Sequence, residues 1–123
     1  MSMCVATALV AALLAGCDSQ PETIADSDVP QIAGLENRHL SGLERDGETL
    51  VGARALYRGE ILDPNSIVTP TIDRYLAHGW TIARRRVSNT SATLVFVKGD
   101  REAEVDLKTN HLNPAMGTGS IDL

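Results

Sequence analysis

Three consecutive arginines, Arg84, Arg85 and Arg86, form the one dense group of cations in the chain. A guanidinium group is planar and carries several N–H donors, so neighbouring arginines can hold a carboxylate or another oxyanion through paired hydrogen bonds. The sequence therefore offers this triplet as a candidate site for an anion or a small ligand. The alternative is that the triplet only balances acidic side chains on a neighbouring strand, in surface ion pairs worth roughly 0–1 kcal/mol each.

Three carboxylates, Glu102, Glu104 and Asp106, alternate with apolar residues and are the candidates for acid–base chemistry. Paired carboxylates can donate and accept protons when the pKa of one of them is raised. An apolar pocket would raise that pKa, and nothing in the surrounding sequence indicates one. Alternating carboxylates are more typical of the solvated face of a strand, so we predict no catalytic role for them.

The three histidines, His39, His78 and His111, are far apart, and no two of them have the spacing of metal ligands. His78 falls in the last turn of a predicted helix, where a partly charged imidazole interacts favourably with the helix dipole. We therefore predict a protein with no catalytic residue, no metal site and no cofactor, and hence not an enzyme.

An apolar run near the start of the chain ends in Leu14-Ala15-Gly16-Cys17, and polar residues follow at once. Val5 to Ala15 is apolar apart from Thr7. This run has the length of a signal-peptide core and is shorter than the roughly 20 residues that span a membrane. The four residues at its end resemble the lipobox of bacterial lipoprotein precursors, in which a leucine and small residues precede the cysteine.

The resemblance implies that residues 1–16 form a signal peptide, with Leu14-Ala15-Gly16 as part of its recognition sequence. It also implies that Cys17 becomes the lipidated first residue of the mature protein, which is then anchored in the cell envelope. Asp18 directly after that cysteine resembles the signal that retains lipoproteins in the inner membrane. We therefore favour the periplasmic side of the inner membrane, with the outer membrane as the alternative.

The composition of the mature chain excludes several classes of function. Cys4 would leave with the signal peptide and Cys17 would be acylated, so no thiol would remain for a disulfide, a metal site or a nucleophile. All 16 acidic and 11 basic residues follow the signal, and the net charge is −5. This acidic balance argues against binding to nucleic acid and against attraction of the domain itself to anionic headgroups. Contact with the membrane would therefore come from the lipid on Cys17.

Changes in composition predict three parts in the mature chain. Residues 17–47 comprise the lipidated cysteine and an acidic stretch with few large apolar residues, which predicts a flexible tether, and the sequence leaves open whether residues 31–47 are ordered. Residues 48–112 contain the periodic patterns of a small folded domain. Residues 113–123 are rich in glycine and lack periodicity, which predicts a flexible C-terminal tail.

The predicted domain is of the α+β class, with one helix packed on a mainly antiparallel sheet in the order β-α-β-β-β. The first strand covers residues 53–62, and the helix begins at Thr69-Pro70 and ends before Gly79. The other strands cover residues 80–87, 92–98 and 101–109.

A two-residue turn at Gly99-Asp100 fixes the register of the last two predicted strands. It places Phe96 opposite Ala103, Leu94 opposite Val105 and Ala92 opposite Leu107, so that one face is apolar throughout. Arg84 and Arg86 would share the other face with Glu104 and Asp106. A bulge near Arg84 to Arg86 would allow both ends of the preceding strand to face the core.

Two functions from different classes fit these features. The first is a non-catalytic envelope module that binds a protein partner, and an open strand edge would favour it. The second is an anion-binding or small-ligand protein that uses Arg84 to Arg86, and a concave pocket with convergent arginines would favour that one. A buried carboxylate or histidine in such a pocket would be needed to support an enzyme.

Overall fold

A computed structural model describes residues 20–123, which form one helix and a six-stranded antiparallel sheet. The helix is α1 (Asn65–Ala77). The strands are β1 (Glu36–Asp46), β2 (Thr49–Gly59), β3 (Thr81–Val87), β4 (Ser91–Lys98), β5 (Arg101–Lys108) and β6 (Gly117–Asp122). Their order across the sheet is β1-β2-β6-β5-β4-β3.

The predicted combination of one helix with an antiparallel sheet is confirmed, but the order along the chain is β-β-α-β-β-β-β. Two strands, β1 and β6, come from segments that the sequence predicts to be flexible. The molecule is therefore mostly β rather than a balanced α+β domain. The predicted signal peptide, Leu14-Ala15-Gly16 and Cys17 lie outside the described residues.

The hairpin of β4 and β5 has the predicted register. Phe96 pairs with Ala103, Leu94 with Val105 and Ala92 with Leu107, and these side chains are buried. Gly99 in the turn has a φ of 63°, which an L side chain rarely adopts. Alternation of apolar and polar residues was sufficient for this prediction because only one face of these strands meets the core.

The pairing of β3 with β4 contains the predicted bulge, displaced toward the start of the strand. The register shifts between Ile82 and Arg84, so that Ala83 has no partner. As a result Val87 lies opposite Ala92 on the core side, and Trp80 just before the strand is also buried. Both ends of the segment therefore face inward, as the amphipathic pattern requires.

The helix begins five residues earlier than predicted, since its first residue is Asn65 and not Pro70. The carboxylate of Asp63 accepts a hydrogen bond of 3.0 Å from the backbone N–H of Asn65, which satisfies one of the free donors of the first turn. Pro70 is therefore inside the helix, where it removes one backbone hydrogen bond. The predicted end is confirmed, since Gly79 follows with a φ of 87°.

The prediction of a flexible tether over residues 17–47 is wrong for the part that the structure describes. Ile24, Val29, Ile32 and Leu35 are all at most 3% exposed and cover the apolar face of the sheet beside α1. The backbone N–H of Ala33 donates to the hydroxyl of Thr71 on the helix at 3.1 Å. These four apolar side chains offset the ordering entropy of a segment whose average composition is polar.

The prediction of a flexible tail over residues 113–123 is also wrong. Strand β6 lies between β2 and β5, and Ile121 is fully buried. A Cβ on Gly117 would lie 2.7 Å from Cγ1 of Ile61, and one on Gly119 would lie 3.0 Å from Cδ1 of Ile32. The glycines are therefore positions where neighbouring side chains already fill the space, and they do not make the segment flexible.

An aromatic cluster occupies the core beneath β4. The rings of Tyr75 and Phe96 are stacked with their centroids 4.0 Å apart, and Trp80 meets Tyr75 edge-on at 5.8 Å. Within the described residues the hydroxyl of Tyr75 is buried without a hydrogen-bond partner. That of Tyr57 donates to Oε1 of Gln31 at 2.8 Å.

Removal of the Tyr75 hydroxyl is expected to stabilise the domain. A buried donor without a partner loses its hydration without compensation, so Tyr75→Phe should raise the free energy of unfolding by about 1 kcal/mol. Tyr57→Phe is the matched control, and it should lower the same quantity by a similar amount because it breaks a hydrogen bond. Urea denaturation measures both, and a destabilised Tyr75→Phe variant would show that this hydroxyl has a partner.

Candidate functional site

The arginine triplet lies on β3, which is an edge strand of the sheet. The strand is paired with β4 on one side only, and every residue in it except Val87 is exposed. Within residues 20–123 no backbone hydrogen bond reaches its outer edge. The predicted site residues therefore border a row of free backbone donors and acceptors.

The side chains of the triplet diverge. Arg84 lies opposite Val95 and Arg86 opposite Thr93, on the face of the sheet away from the helix. Arg85 lies opposite Leu94, on the helix side. Two depressions of about 790 and 480 Å³ in the described surface are lined by other residues. The structure does not bring the three guanidinium groups together around one concave pocket.

The predicted alignment of arginines with carboxylates is confirmed, but ion pairs are not formed. The registers place Arg84 in one row with Glu104, and Arg86 in one row with Asp106, with β4 between them. Within residues 20–123 no carboxylate lies within 4.0 Å of any guanidinium of the triplet. Asp106 instead accepts a hydrogen bond of 2.8 Å from the hydroxyl of Thr93.

Glu102, Glu104 and Asp106 lie on the face of β5 that points away from the helix, where they are exposed or half-buried. A hydrogen bond with Asp106 and repulsion from its charge raise the pKa of Glu104 above the ordinary value of 4.5. This shift comes from crowding of like charges on a strand face, and among residues 20–123 no enclosed pocket surrounds the carboxyl group.

The histidines lie in three separate places. His39 is on β1, His111 follows β5, and Nδ1 of His78 lies 2.9 Å from the carbonyl oxygen of Arg74 at the end of α1. Among residues 20–123 no cluster of three histidine, cysteine or acidic side chains has the geometry to hold a metal ion.

One charged cluster was not anticipated from the sequence. The carboxylate of Asp28 accepts hydrogen bonds from Nζ of Lys98 at 2.8 Å and from Nη2 of Arg101 at 2.6 Å. Its backbone carbonyl accepts a further bond of 2.8 Å from Nε1 of Trp80, whose ring lies 5.0 Å from the guanidinium carbon of Arg101. The two cations hold the pKa of Asp28 well below its ordinary value.

This cluster, Asp28 with Lys98 and Arg101, fastens the N-terminal segment to the hairpin of β4 and β5. One feature of the hairpin register indicates that this charged cluster is present. Lys98 lies directly opposite Arg101 on the core side, and two like charges in such a pair repel each other unless an anion lies between them. The identity of the anion could not be read from the sequence, because Asp28 is remote along the chain.

The two ends of the sheet differ in their connections. One end, here called the loop end, comprises the connections at residues 60–64, 88–90 and 109–116. The other, the turn end, comprises the turns Gly47-Glu48 and Gly99-Asp100. Gln20 is bound at the loop end, where its amide donates to the carbonyl oxygen of Leu35 at 2.8 Å and accepts from the N–H of Asn37 at 2.9 Å.

Large apolar side chains are exposed at the loop end. Leu112 is 97% exposed, Leu62 is 71% exposed and Met116 is 37% exposed. Both turns of the turn end consist of a glycine and an acidic residue. The two most exposed large apolar side chains among residues 20–123, Leu112 and Leu62, therefore lie at the loop end.

Among residues 20–123, no helix has the length and apolarity that crossing a bilayer requires. Comparison with known protein families, with curated proteins and with solved structures finds no match for this chain. Its function is therefore argued from its own residues and geometry.

Proposed function

We propose that the chain is a bacterial lipoprotein anchored through Cys17, and that its domain is a non-catalytic module that binds a protein partner at the free edge of β3. The observation that carries the second part is the unpaired outer edge of β3 with its three exposed arginines. The anchor is supported by the lipobox resemblance of Leu14-Ala15-Gly16-Cys17. We further propose the inner membrane as its location, on the basis of Asp18, with the outer membrane as the alternative.

An exposed strand edge can bind an extended segment of another chain, because the backbone groups of both strands then pair. Arg84, Arg85 and Arg86 project from both faces of this edge, so the favoured partner is an extended segment rich in acidic side chains. A second copy of the chain fits less well, since antiparallel pairing of two β3 strands would place arginines close to arginines.

The opposite edge of the sheet is less suited to strand addition. The pairing of β1 with β2 contains register shifts at three places, and Gly42 within β1 has a φ of 63°. Bulges of this kind bend an edge and disrupt its row of hydrogen-bonding groups.

The second candidate, an anion-binding or small-ligand protein, has less support. It requires convergent arginines in a concave pocket, whereas Arg84 and Arg86 lie on one face of the sheet and Arg85 on the other. The triplet can still attract anionic groups electrostatically. Such an attraction would assist a strand partner without forming a separate ligand site.

Metabolic labelling tests the anchor. Cells supplied with a tagged fatty acid should incorporate it into the wild-type chain and not into a Cys17→Ser variant, because only the thiol of Cys17 is a candidate acceptor in the mature chain. Cys4→Ser is the matched control and should be labelled like the wild type. Equal labelling of the wild type and of Cys17→Ser would contradict the lipoprotein assignment.

Site-specific photo-crosslinking tests the binding edge. A photoreactive residue in place of Ile82 on β3 should form a covalent adduct with a membrane-associated protein, and the same residue in place of Leu43 on β1 should not. The two positions are matched, with exposures of 38% and 47%. The double substitution Arg84→Glu and Arg86→Glu should abolish the adduct, while Arg58→Glu on β2 should preserve it.

Each other outcome of this experiment contradicts part of the proposal. An adduct that survives reversal of the two arginines would exclude an acidic partner strand. Crosslinking between two copies of the chain would replace the proposed partner with a homodimer. Equal adducts from both edges, or none from β3, would remove the edge as the binding site.

A further inference from the structure

We infer that the loop end of the domain lies against the lipid bilayer, with Leu112 and Leu62 inserted between the headgroups and the acyl chains. The inference rests on the proposed acylation of Cys17. It adds to that proposal a second contact with the membrane and a defined orientation of the domain.

The chain between the proposed anchor and the fold is short. Three residue steps separate Cys17 from Gln20, and even a fully extended chain gains at most about 3.6 Å per step, or about 11 Å in total. Gln20 is already held by its hydrogen bonds to Leu35 and Asn37. Since the predicted tether is part of the fold, an acylated Cys17 would keep the domain directly at the membrane surface.

This attachment lies at the loop end of the sheet. Asn37 pairs with Tyr57, close to the last residue of β2, and Gly59 pairs with Gly117 at the first residue of β6. Strand β5 ends beside them, because Lys108 pairs with Thr118. The start of β1 and the connection of β5 to β6 therefore lie at the same end, three strand spacings or about 14 Å apart across the sheet.

The side chains at the loop end suit contact with a bilayer. A leucine that is 97% exposed in water, as Leu112 is, gains free energy on transfer to the apolar part of a bilayer, and Leu62 and Met116 share its end of the sheet. Lys108 at the end of β5 and His111 just after it lie at the same end and suit the phosphate groups of lipids.

Acidic residues at this end do not prevent the contact. Asp63 is directed to the first turn of α1, where it accepts the hydrogen bond from Asn65. Glu60 after β2 and Glu36 at the start of β1 remain exposed and can stay among the headgroups in water. The turn end, with its glycine and acidic turns, would point away from the membrane.

Depth-dependent fluorescence quenching tests this orientation. The full chain is produced with its signal sequence, and the acylated protein is reconstituted in vesicles of phosphatidylethanolamine and phosphatidylglycerol. One variant carries an environment-sensitive fluorophore on Leu112→Cys, and the control carries it on Asp100→Cys at the turn end. Both positions are exposed, so neither substitution disturbs the core.

The expected result is a blue-shifted emission at position 112 and severalfold stronger quenching there by lipids that carry a nitroxide on the acyl chain. Mass spectrometry of the N-terminal peptide from the same sample reports whether Cys17 is acylated. Acylation with equal quenching at both positions would overturn the inference and leave the proposed anchor intact. An unmodified Cys17 would overturn the anchor, and the inference with it.

Discussion

A Phe96→Asp variant is expected to lose its cooperative fold at neutral pH. Phe96 is fully buried, pairs with Ala103 across the hairpin and stacks on Tyr75 with the centroids 4.0 Å apart. Aspartate there would place an unpaired charge among apolar side chains and remove the stacked ring. The combined cost exceeds about 5 kcal/mol, which is comparable with the whole stability of a small domain.

Circular dichroism during thermal unfolding measures this effect, and Val97→Asp provides the matched control. Val97 is the next residue on β4, points to the opposite face of the sheet and is only half-buried. The control should therefore retain a cooperative transition. If Phe96→Asp folds cooperatively and Val97→Asp does not, the two faces of β4 have been assigned the wrong way round.

Replacement of Asp28 with alanine is expected to lower the free energy of unfolding by about 2–3 kcal/mol. The substitution leaves Lys98 and Arg101 facing each other without a counter-ion, and Arg101 is only 12% exposed. The effect stays below the roughly 3–5 kcal/mol of a fully buried pair because solvent screens Asp28, whose side chain is 33% exposed.

The stability that Asp28 contributes also depends on pH. Because Lys98 and Arg101 lower the pKa of Asp28 in the folded state, its contribution is complete above the ordinary value of 3.8 and is lost as the pH falls through the lowered value. Urea denaturation of the wild type and of Asp28→Asn should therefore give a stability difference that shrinks progressively below pH 3.8. A difference that is constant over this range would contradict the ion pairs.

The outcome at β4 and β5 shows which parts of the fold could be predicted from the sequence. Their alternating pattern and the Gly99-Asp100 turn depend only on neighbouring residues, so the register and the apolar face were recoverable. The end of α1 at Gly79 was recoverable for the same reason. The start of that helix was not, because Thr69-Pro70 is a typical start signal and yet the Asp63 contact extends the helix beyond it.

The parts that were missed depend on contacts between distant residues. Ile24, Val29, Ile32 and Leu35 have an irregular spacing that fits neither a helix nor a strand, and their burial follows only from the sheet face that they cover. Gly117 and Gly119 make their segment look flexible in the sequence, whereas in the fold the side chains of Ile61 and Ile32 pack against them. The composition of each segment alone could not reveal these partners.

Only the local features of the candidate site were predictable from the sequence. The exposure of Arg84, Arg85 and Arg86 and their division between two faces follow from the alternation of a strand. That β3 forms an edge depends on the whole strand order, which requires β1 and β6 to be in the sheet. The pairing of Asp28 with Lys98 and Arg101 likewise needs the complete fold.

The position of β6 also determines the order in which the parts of the sheet can assemble. Strands β1 and β2 form one hairpin and β3 to β5 form one meander, and only β6 pairs with both of them. Among the described strands, residues 117–122 come last along the chain, so the two halves cannot join until these residues are available. Under the proposed export, this arrangement delays the joining of the two halves until residues 117–122 have been translocated.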